Sequence, residues 1–301
     1  MSAASTILAR PGSLTPLITL CLAATWLVWG STYLAIKYAL ISFPPFFQMG
    51  TRFLVAGLAL LAWMRWRGRP LPSARQWLNA AGVGGLMLGG GMGGTAYAEQ
   101  SVGSGLVVAF IAVVPLMIAA LNLLWRVYPS RFELAGIAVG LGGVLMLTQG
   151  AGFQASPVGL IAIATACITW SIGSVLSQRS LPLAPGAMGF ASEMVCGGLL
   201  LLALSLAAGE TPIWPPEPLA AGAWAYLVVF GSLVAFNAYM VLLSQAPAAL
   251  ASSYTFVNPV IAMLLGVAVA GEHITGFEWS AAGVVLGGVV LMLWGAARRA
   301  R

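Results

Sequence analysis

Ten stretches of about 20 predominantly apolar residues follow one another along this chain, separated by short polar connections. Each is long enough to cross a hydrocarbon core of about 30 Å as a helix rising about 1.5 Å per residue. In a bilayer the backbone must satisfy its own hydrogen bonds, so such spans fold as helices. The expected limits are 17–40, 46–64, 77–97, 103–124, 132–148, 157–178, 187–207, 220–242, 248–270 and 277–296. What remains cannot clothe a water-facing domain. The chain is 60% hydrophobic and 7% charged with a mean hydropathy of +0.96, whereas a soluble surface carries about 25–35% charged residues. The first apolar run is long and leads straight into the pattern repeated later, so it reads as an anchor and not a cleavable leader.

The ten spans divide into two copies of five. Arg52-Phe53-Leu54 with Gly57-Leu58-Ala59-Leu60-Leu61-Ala62 is echoed 141 residues later by Glu193-Met194-Val195 with Gly198-Leu199-Leu200-Leu201-Leu202-Ala203. The same shift pairs Trp29 with Trp170 and Pro44 with Pro185. It becomes 144 for Pro115 and Pro259, then 145 for Phe132-Glu133 with Phe277-Glu278 and for Gly142-Gly143 with Gly287-Gly288. Five is odd, so the second copy must enter the membrane from the opposite side. The expected fold class is therefore all-α and integral to the membrane, with ten transmembrane helices as two inverted five-helix repeats, residues 1–150 and 151–301. Symmetric halves of this kind build a midplane site that opens alternately to either face.

Charge sets the expected orientation. With the N-terminus inside, the inner segments collect Arg10, Arg65, Arg67, Arg69, Arg75, Arg126, Arg131, Arg179, Arg298, Arg299 and Arg301, 11 of the 13 basic residues. Glu99, Glu210, Glu217, Glu272 and Glu278 fall on the other side, and Lys37 closes the outer end of the first span. This asymmetry predicts cytoplasmic termini in a multi-pass plasma membrane protein, the inner membrane in a bacterium. The net charge of +6 thus marks orientation and contact with anionic lipid, at Arg65–Arg75 above all, and not a nucleic-acid partner.

Several chemistries lack their residues. There is no Asp, and the one His is His273. Cys21, Cys167 and Cys196 lie in separate apolar segments without metal or disulfide spacing. No metal or cofactor is expected. Intramembrane transferases need acidic clusters to hold Mg²⁺, and intramembrane serine hydrolysis needs a His or Lys beside the serine. His273 falls in a loop and Lys37 at a helix end, so an enzyme is the weaker reading.

Trp29-Gly30-Ser31-Thr32 in the first span resembles the Trp-Gly-Ser/Thr signature of the drug/metabolite transporter superfamily, EamA type. Val257-Asn258-Pro259 through Gly271-Glu272, followed by Gly283, Gly287 and Gly288, is similar to that family's Pro…Gly-Glu…Gly-x-x-x-Gly segment. The first copy departs from the pattern, with Trp125-Arg126 where the second has Gly271-Glu272. The resemblance implies export of small metabolites, and some members export amino acids, aromatic ones included.

The candidate transport residues lie at membrane depth. Pro115 and Pro259 each fall about 11 residues into the fourth and ninth spans. There a proline frees the carbonyl four residues earlier, Ile111 and Thr255, as a passive kink or a hinge. Trp29 and Trp170 are duplication partners near mid-span, with Tyr33 one turn beyond Trp29. Asn237, Tyr239, Tyr254 and Asn258 add polar groups, and Gln100 pairs with Gln245. Trp29, Tyr33, Tyr97, Gln100, Trp170, Asn237, Tyr254 and Asn258 are the candidate substrate-binding residues, against the alternative that they pack and hydrogen-bond between helices.

Arg52 and Glu193 are the ionisable residues well inside spans and join Pro115 and Pro259 as candidate gates or hinges, or else are structural latches. Inversion sets the two at different depths, so Arg52 is expected to meet Glu99 or a backbone carbonyl. Glu193 is expected to meet Arg126, Arg131 or Arg179. One off-centre carboxylate favours facilitated diffusion or exchange over proton coupling. Glycine stripes at 85, 89 and 93, at 136 and 140, and at 283 and 287 are expected to seat neighbouring helices. Glu133 and Glu278 open their helices against the dipole. The chain reads as a secondary transporter exporting neutral or aromatic amino acids. A multidrug or quaternary-amine exporter is the alternative; a nucleotide-sugar exchanger would need more basic residues in the cavity.

Overall fold

The computed structural model describes residues 15–102, 107, 110–149, 156–270 and 275–299. Arg10, Gly271, Glu272, His273 and Arg301 lie outside them, as does part of the fourth span. Helices begin where the sequence supplies caps. Thr15 and Ser156 cap α1 (Pro16–Ala39) and α7 (Pro157–Arg179), each with proline in the first turn, where no intrahelical N–H is needed. Pro45 opens α2 (Pro45–Trp66), and the Glu210 carboxylate accepts from the N–H groups of Phe46 and Phe47 at 3.1 and 2.8 Å. Capping boxes start α3 (Ala74–Gly84), through Ser73 and Gln76, and α6 (Arg131–Thr148), through Ser130 and Glu133. The expected role of the repeated Phe-Glu is met in both copies, since Glu278 answers Thr275 in the same way at the start of α13 (Gly276–Arg299).

Two rods change pitch. α3 runs through a π-helical stretch, Gly85–Gly93, into α4 (Gly94–Ala98). After α8 (Ala187–Ala207), α9 (Pro218–Tyr226) runs through a second π-helical stretch, Leu227–Phe236, into α10 (Asn237–Gln245). Two other spans are interrupted. α5 (Val114–Asn122) follows a turn at 112–113, and α12 (Tyr254–Ala270) is separated from the short α11 (Ala248–Ala251) by a turn at 252–253. Among the described residues six helices are long and apolar enough to cross a membrane uninterrupted. Of the other expected spans, residues 74–98 form a continuous but glycine-rich helix, and the rest are interrupted, short or partly undescribed.

The outward faces are apolar: Leu20, Leu124, Ile161 and Leu206 are 66–82% exposed, as suits a lipid-facing surface. Inside, α2 packs on α8, α6 on α13, α1 on α12 and α5 on α7. The first π stretch lies against α7 and α8, and the second against α1 and α2. Contacts recur in matched pairs. Gly198 sits against Leu54 and Gly57 against Val195; Gly288 sits against Gly140 and Gly143 against Val285. Both helix pairs run antiparallel, since the numbers fall on one helix as they rise on the other. Gly30 lies so close to Ile261 that an added Cβ would stand 2.6 Å away. Ser171, 141 residues on, touches the sulfur of Met117.

One expectation about the glycines is corrected. Gly85, Gly89 and Gly93 meet Leu200 and Leu201 of α8, but Gly283 and Gly287 have nothing within 4 Å of an added Cβ. The antiparallel register of α6 and α13 puts Gly288 opposite Gly136 and Gly140 and leaves those two on the outer face.

Candidate solute-binding site

Four rings meet at the centre. Trp29 is the fourteenth residue of α1 and Trp170 the fourteenth of α7. Their indoles meet edge to face with centroids 5.8 Å apart. Tyr254 at the head of α12 stands 4.6 Å from Trp29, and Tyr239 of α10 lies 5.2 Å from Trp29 and 5.3 Å from Trp170. Indole N–H groups at this depth need acceptors. Trp170 donates to the Tyr239 hydroxyl at 3.2 Å, which also contacts Ser174 at 3.0 Å. Trp29 donates to the Gly231 carbonyl at 3.2 Å. Gly231 lies in the second π-helical stretch, where i→i+5 pairing leaves carbonyls turned aside from the usual ladder. Asn237 takes up the next two, donating to the carbonyls of Ser232 and Leu233 at 3.3 and 3.0 Å.

Against this cluster lies a cavity of about 560 Å³ with its mouth included, of which about 60 Å³ admits the centre of a water molecule. Trp29, Thr32, Tyr33 and Ile36 of α1 line it, with Met49 of α2, Thr95 of α4, Cys167 and Trp170 of α7, and Tyr254 and Asn258 of α12. The wall is mainly aromatic and aliphatic, with hydroxyls and one amide. Glycine makes the space: a Cβ at Gly91 would come within 2.9 Å of the Trp170 ring. That free space is smaller than an amino acid.

Several buried polar groups of the interior lack partners. Of the buried amides, that of Asn258 lines the cavity beside the Tyr33 hydroxyl, and both amide atoms of Gln48 are buried without a hydrogen bond. Arg52 is fully buried. Its Nε donates to the Ser232 hydroxyl at 2.7 Å and its Nη1 reaches the Met49 sulfur at 3.5 Å, while Nη2 has no partner. The expected contact with Glu99 or a carbonyl is not made, because Arg52 turns toward the π-helical stretch that packs on α2. Glu193 is fully buried with neither oxygen hydrogen-bonded. It meets none of the expected arginines: it lies against Gly84 of α3, and Arg179 is engaged with Asn122 Oδ1 at 3.3 and 3.2 Å.

Of the candidate substrate-binding residues, the structure brings Trp29, Tyr33, Trp170, Tyr254 and Asn258 to the cavity. Asn237 lies beyond it on the π-helical carbonyls. Tyr97 stacks on Phe46 at 5.7 Å, and Gln100 belongs to a second, wider hollow of about 910 Å³ with its mouth included, shared with Lys37, Ser42, Glu99 and Thr211. The breaks in the fourth and ninth spans precede their prolines. Pro115 lies in the first turn of α5, where it costs no hydrogen bond, and Pro259 inside α12. Gln48, Met49 and Thr95 are site neighbours that sequence patterning does not single out; Tyr239, named there among the polar groups at membrane depth, joins the ring cluster. Gln48 and Arg52 alone carry a signal, as two polar residues at i, i+4 on one face of an apolar helix.

The model of the EamA-like transporter family matches the chain twice, over residues 15–149 and 157–294. The chain belongs to the EamA-like transporter family. It is thus a membrane transporter by family, and the resemblance seen in Trp29-Gly30-Ser31-Thr32 holds. Among EamA-like proteins, the uncharacterized inner membrane transporter YedA of Escherichia coli K12 is 42% identical over 273 residues, covering 90% of this chain and 89% of YedA. An uncharacterized transporter of Synechocystis is 27% identical over 86% of this chain and 84% of its own. Protein PecM of Dickeya dadantii is 26% identical over 83% and 84%. A solved crystal structure superposes with a TM-score of 0.75 at 22% identity, covering 94% of this chain and 98% of its own, and so shares the fold.

Proposed function

We propose that this EamA-like protein is a secondary transporter exporting small organic solutes, neutral and aromatic amino acids above all, by alternating access of the central cavity. The observation that carries the substrate class is the cluster of Trp29, Trp170, Tyr239 and Tyr254 beside the Asn258 amide that lines the cavity. Aromatic faces accept an apolar or aromatic side chain, and a few fixed polar groups orient the backbone-like end.

Alternating access rests on the reading of residues 1–150 and 151–301 as inverted repeats. It is supported by contacts that exchange under the duplication. Shifting by 141 turns Leu54 with Gly198 into Val195 with Gly57, and shifting by 145 turns Gly140 with Gly288 into Val285 with Gly143. Both members of each pair are observed. The two π-helical stretches also occupy matching places, each packed on the other half's first two helices. Cytoplasmic termini follow from the arginine distribution, and an inner-membrane location accords with the name given to YedA.

Exporters of quaternary amines are the second reading, favoured by the buried, unpartnered carboxylate of Glu193. The test is uptake into proteoliposomes of labelled aromatic, aliphatic and charged amino acids, a quaternary amine and a nucleotide sugar, with and without a pH gradient. Saturable gradient-independent flux of neutral or aromatic amino acids is expected. Gradient-dependent amine flux with no amino-acid flux would replace this reading with the second.

A further inference from the structure

Among the described residues, Arg52 is held as a cation without a counter-ion. Its contacts are a serine hydroxyl, a thioether and the ring of Phe53, 4.8 Å from the guanidinium carbon, and none of them is negative. Burying a charge in this way is costly unless an anion compensates it. Ser232 and Met49 fix two donor atoms and leave Nη2 free. That nitrogen lies directly over Gly231, where an added Cβ would stand 2.6 Å from Nη2 and 3.4 Å from the Thr32 methyl. Gly231 is also the residue whose carbonyl receives the Trp29 indole, and Thr32, Met49 and Trp29 line the cavity. Arg52 and Gln48 are not in the cavity lining; the free edge of Arg52 lies behind its wall at Thr32 and Met49, with no side chain at 231 in the way.

Gln48 lies one turn before Arg52 on α2, on the same face. It is 1% exposed, and both its amide atoms lack partners. A buried amide left unsatisfied beside a buried cation left unpaired describes a site for a missing group. That group must be anionic, planar or small, and able to accept from both. A carboxylate fits: it takes directed bonds from a guanidinium edge and accepts a further N–H from an amide.

We infer that Arg52 and Gln48 form the subsite that takes the carboxylate of the transported solute. The aromatic cluster holds the side chain, and the bound carboxylate is the counter-ion that Arg52 lacks in this state. The inference rests on the amino-acid reading above and deepens it by naming which end of the solute faces α2.

Three ligands of one shape separate the possibilities: phenylalanine, 3-phenylpropionate, which lacks the amine, and phenethylamine, which lacks the carboxylate. Binding to the purified full-length protein is read from the ligand-induced rise in melting temperature, and phenylalanine flux from proteoliposomes. The wild type is expected to bind the two carboxylates more tightly than the amine. Gln48→Met, which removes an unpartnered amide at similar volume, is expected to melt no lower than wild type. Its affinity for both carboxylates should fall about tenfold, the effect of one hydrogen bond to a charged group, with phenethylamine unchanged. Arg52→Lys should abolish the preference. Undiminished carboxylate preference in both variants would overturn the inference. So would phenylalanine flux in a wild type that binds phenethylamine equally well, an outcome that leaves the amino-acid reading standing. Preferential, Gln48-dependent binding of 3-phenylpropionate without phenylalanine flux would support the subsite while removing amino acids as the cargo.

Discussion

The indoles of Trp29 and Trp170 meet edge to face at 5.8 Å, yet their N–H groups have different acceptors. Trp29 uses a main-chain carbonyl of the second π-helical stretch, and Trp170 a tyrosine hydroxyl. The two residues are duplication partners, so the difference marks where the halves have diverged. By the 145-residue offset that pairs Gln100 with Gln245, the position answering Tyr239 is Gly94, and the first half has no phenol to offer there.

Replacing either indole with phenylalanine separates ring from N–H. Trp29→Phe leaves the Gly231 carbonyl without its donor and is expected to cost about 1–3 kcal/mol, the range for an unsatisfied buried group. Trp170→Phe leaves Tyr239 its contact with Ser174 and is expected to cost about 1 kcal/mol or less. Both should slow transport while the protein still reaches the membrane. Uptake assays with thermal melting of the purified variants check the order.

Gly231→Ala tests the crowding around Arg52. The new methyl would collide with Nη2 and push the guanidinium off Ser232. Because the displaced atom is the end of a flexible side chain, the expected cost is about that of the Ser232 hydrogen bond, about 1 kcal/mol, with transport lost more completely than fold. Wild-type flux from this variant would show that Arg52 can be displaced without consequence.

Glycines on the inner and outer faces should respond with opposite sign. Gly198→Ala places a Cβ 2.7 Å from the Leu54 backbone nitrogen, where neither helix can yield, and is expected to destabilise by about 1–3 kcal/mol. Gly283→Ala and Gly287→Ala meet open space and are expected to stabilise by about 0.5–1 kcal/mol, the helical preference of alanine over glycine. Melting temperatures of the three variants in one detergent decide it.

Glu99, in the turn after α4, supplies a pH dependence. Burial pushes its carboxyl up to about 8, against the pull of Lys37. An acid whose folded value is raised holds its proton in the folded state where the unfolded chain has lost it. Stability is therefore expected to fall as pH rises from about 4.5 to about 8 and to level off above. Glu99→Gln should flatten that slope in a pH series of melting curves.

Much of the fold is legible in the pattern of the chain. Apolar runs of span length, Pro45, Pro157 and Pro218 at helix starts, and the Ser130–Glu133 and Thr275–Glu278 caps act locally, over a turn or less. The duplication offset alone pairs Trp29 with Trp170, the two indoles at the centre of the site. The π-helical stretches are not legible, because Leu227–Phe236 is an ordinary apolar run whose pitch is set by α1 and α2 packed against it. That widening aims the Gly231 carbonyl at Trp29 and brings Ser232 to Arg52, so spacing along the chain does not reveal the partner of Arg52. Glu193 stays unpartnered for a related reason: Gly84 and Gly197 bring α3 and α8 too close for a long basic side chain to enter.

Cys167 lines the cavity beside Trp170, and the other two cysteines are absent from its lining. A Cys21→Ala/Cys196→Ala protein therefore carries one thiol at the proposed site. The decisive measurement is the rate at which a small thiol reagent modifies Cys167 in proteoliposomes, with and without a saturating transported amino acid. Modification is expected to block flux and to slow several-fold when the solute is bound. A Cys167 modified at the same rate with and without a solute the protein transports would place the solute elsewhere and contradict it.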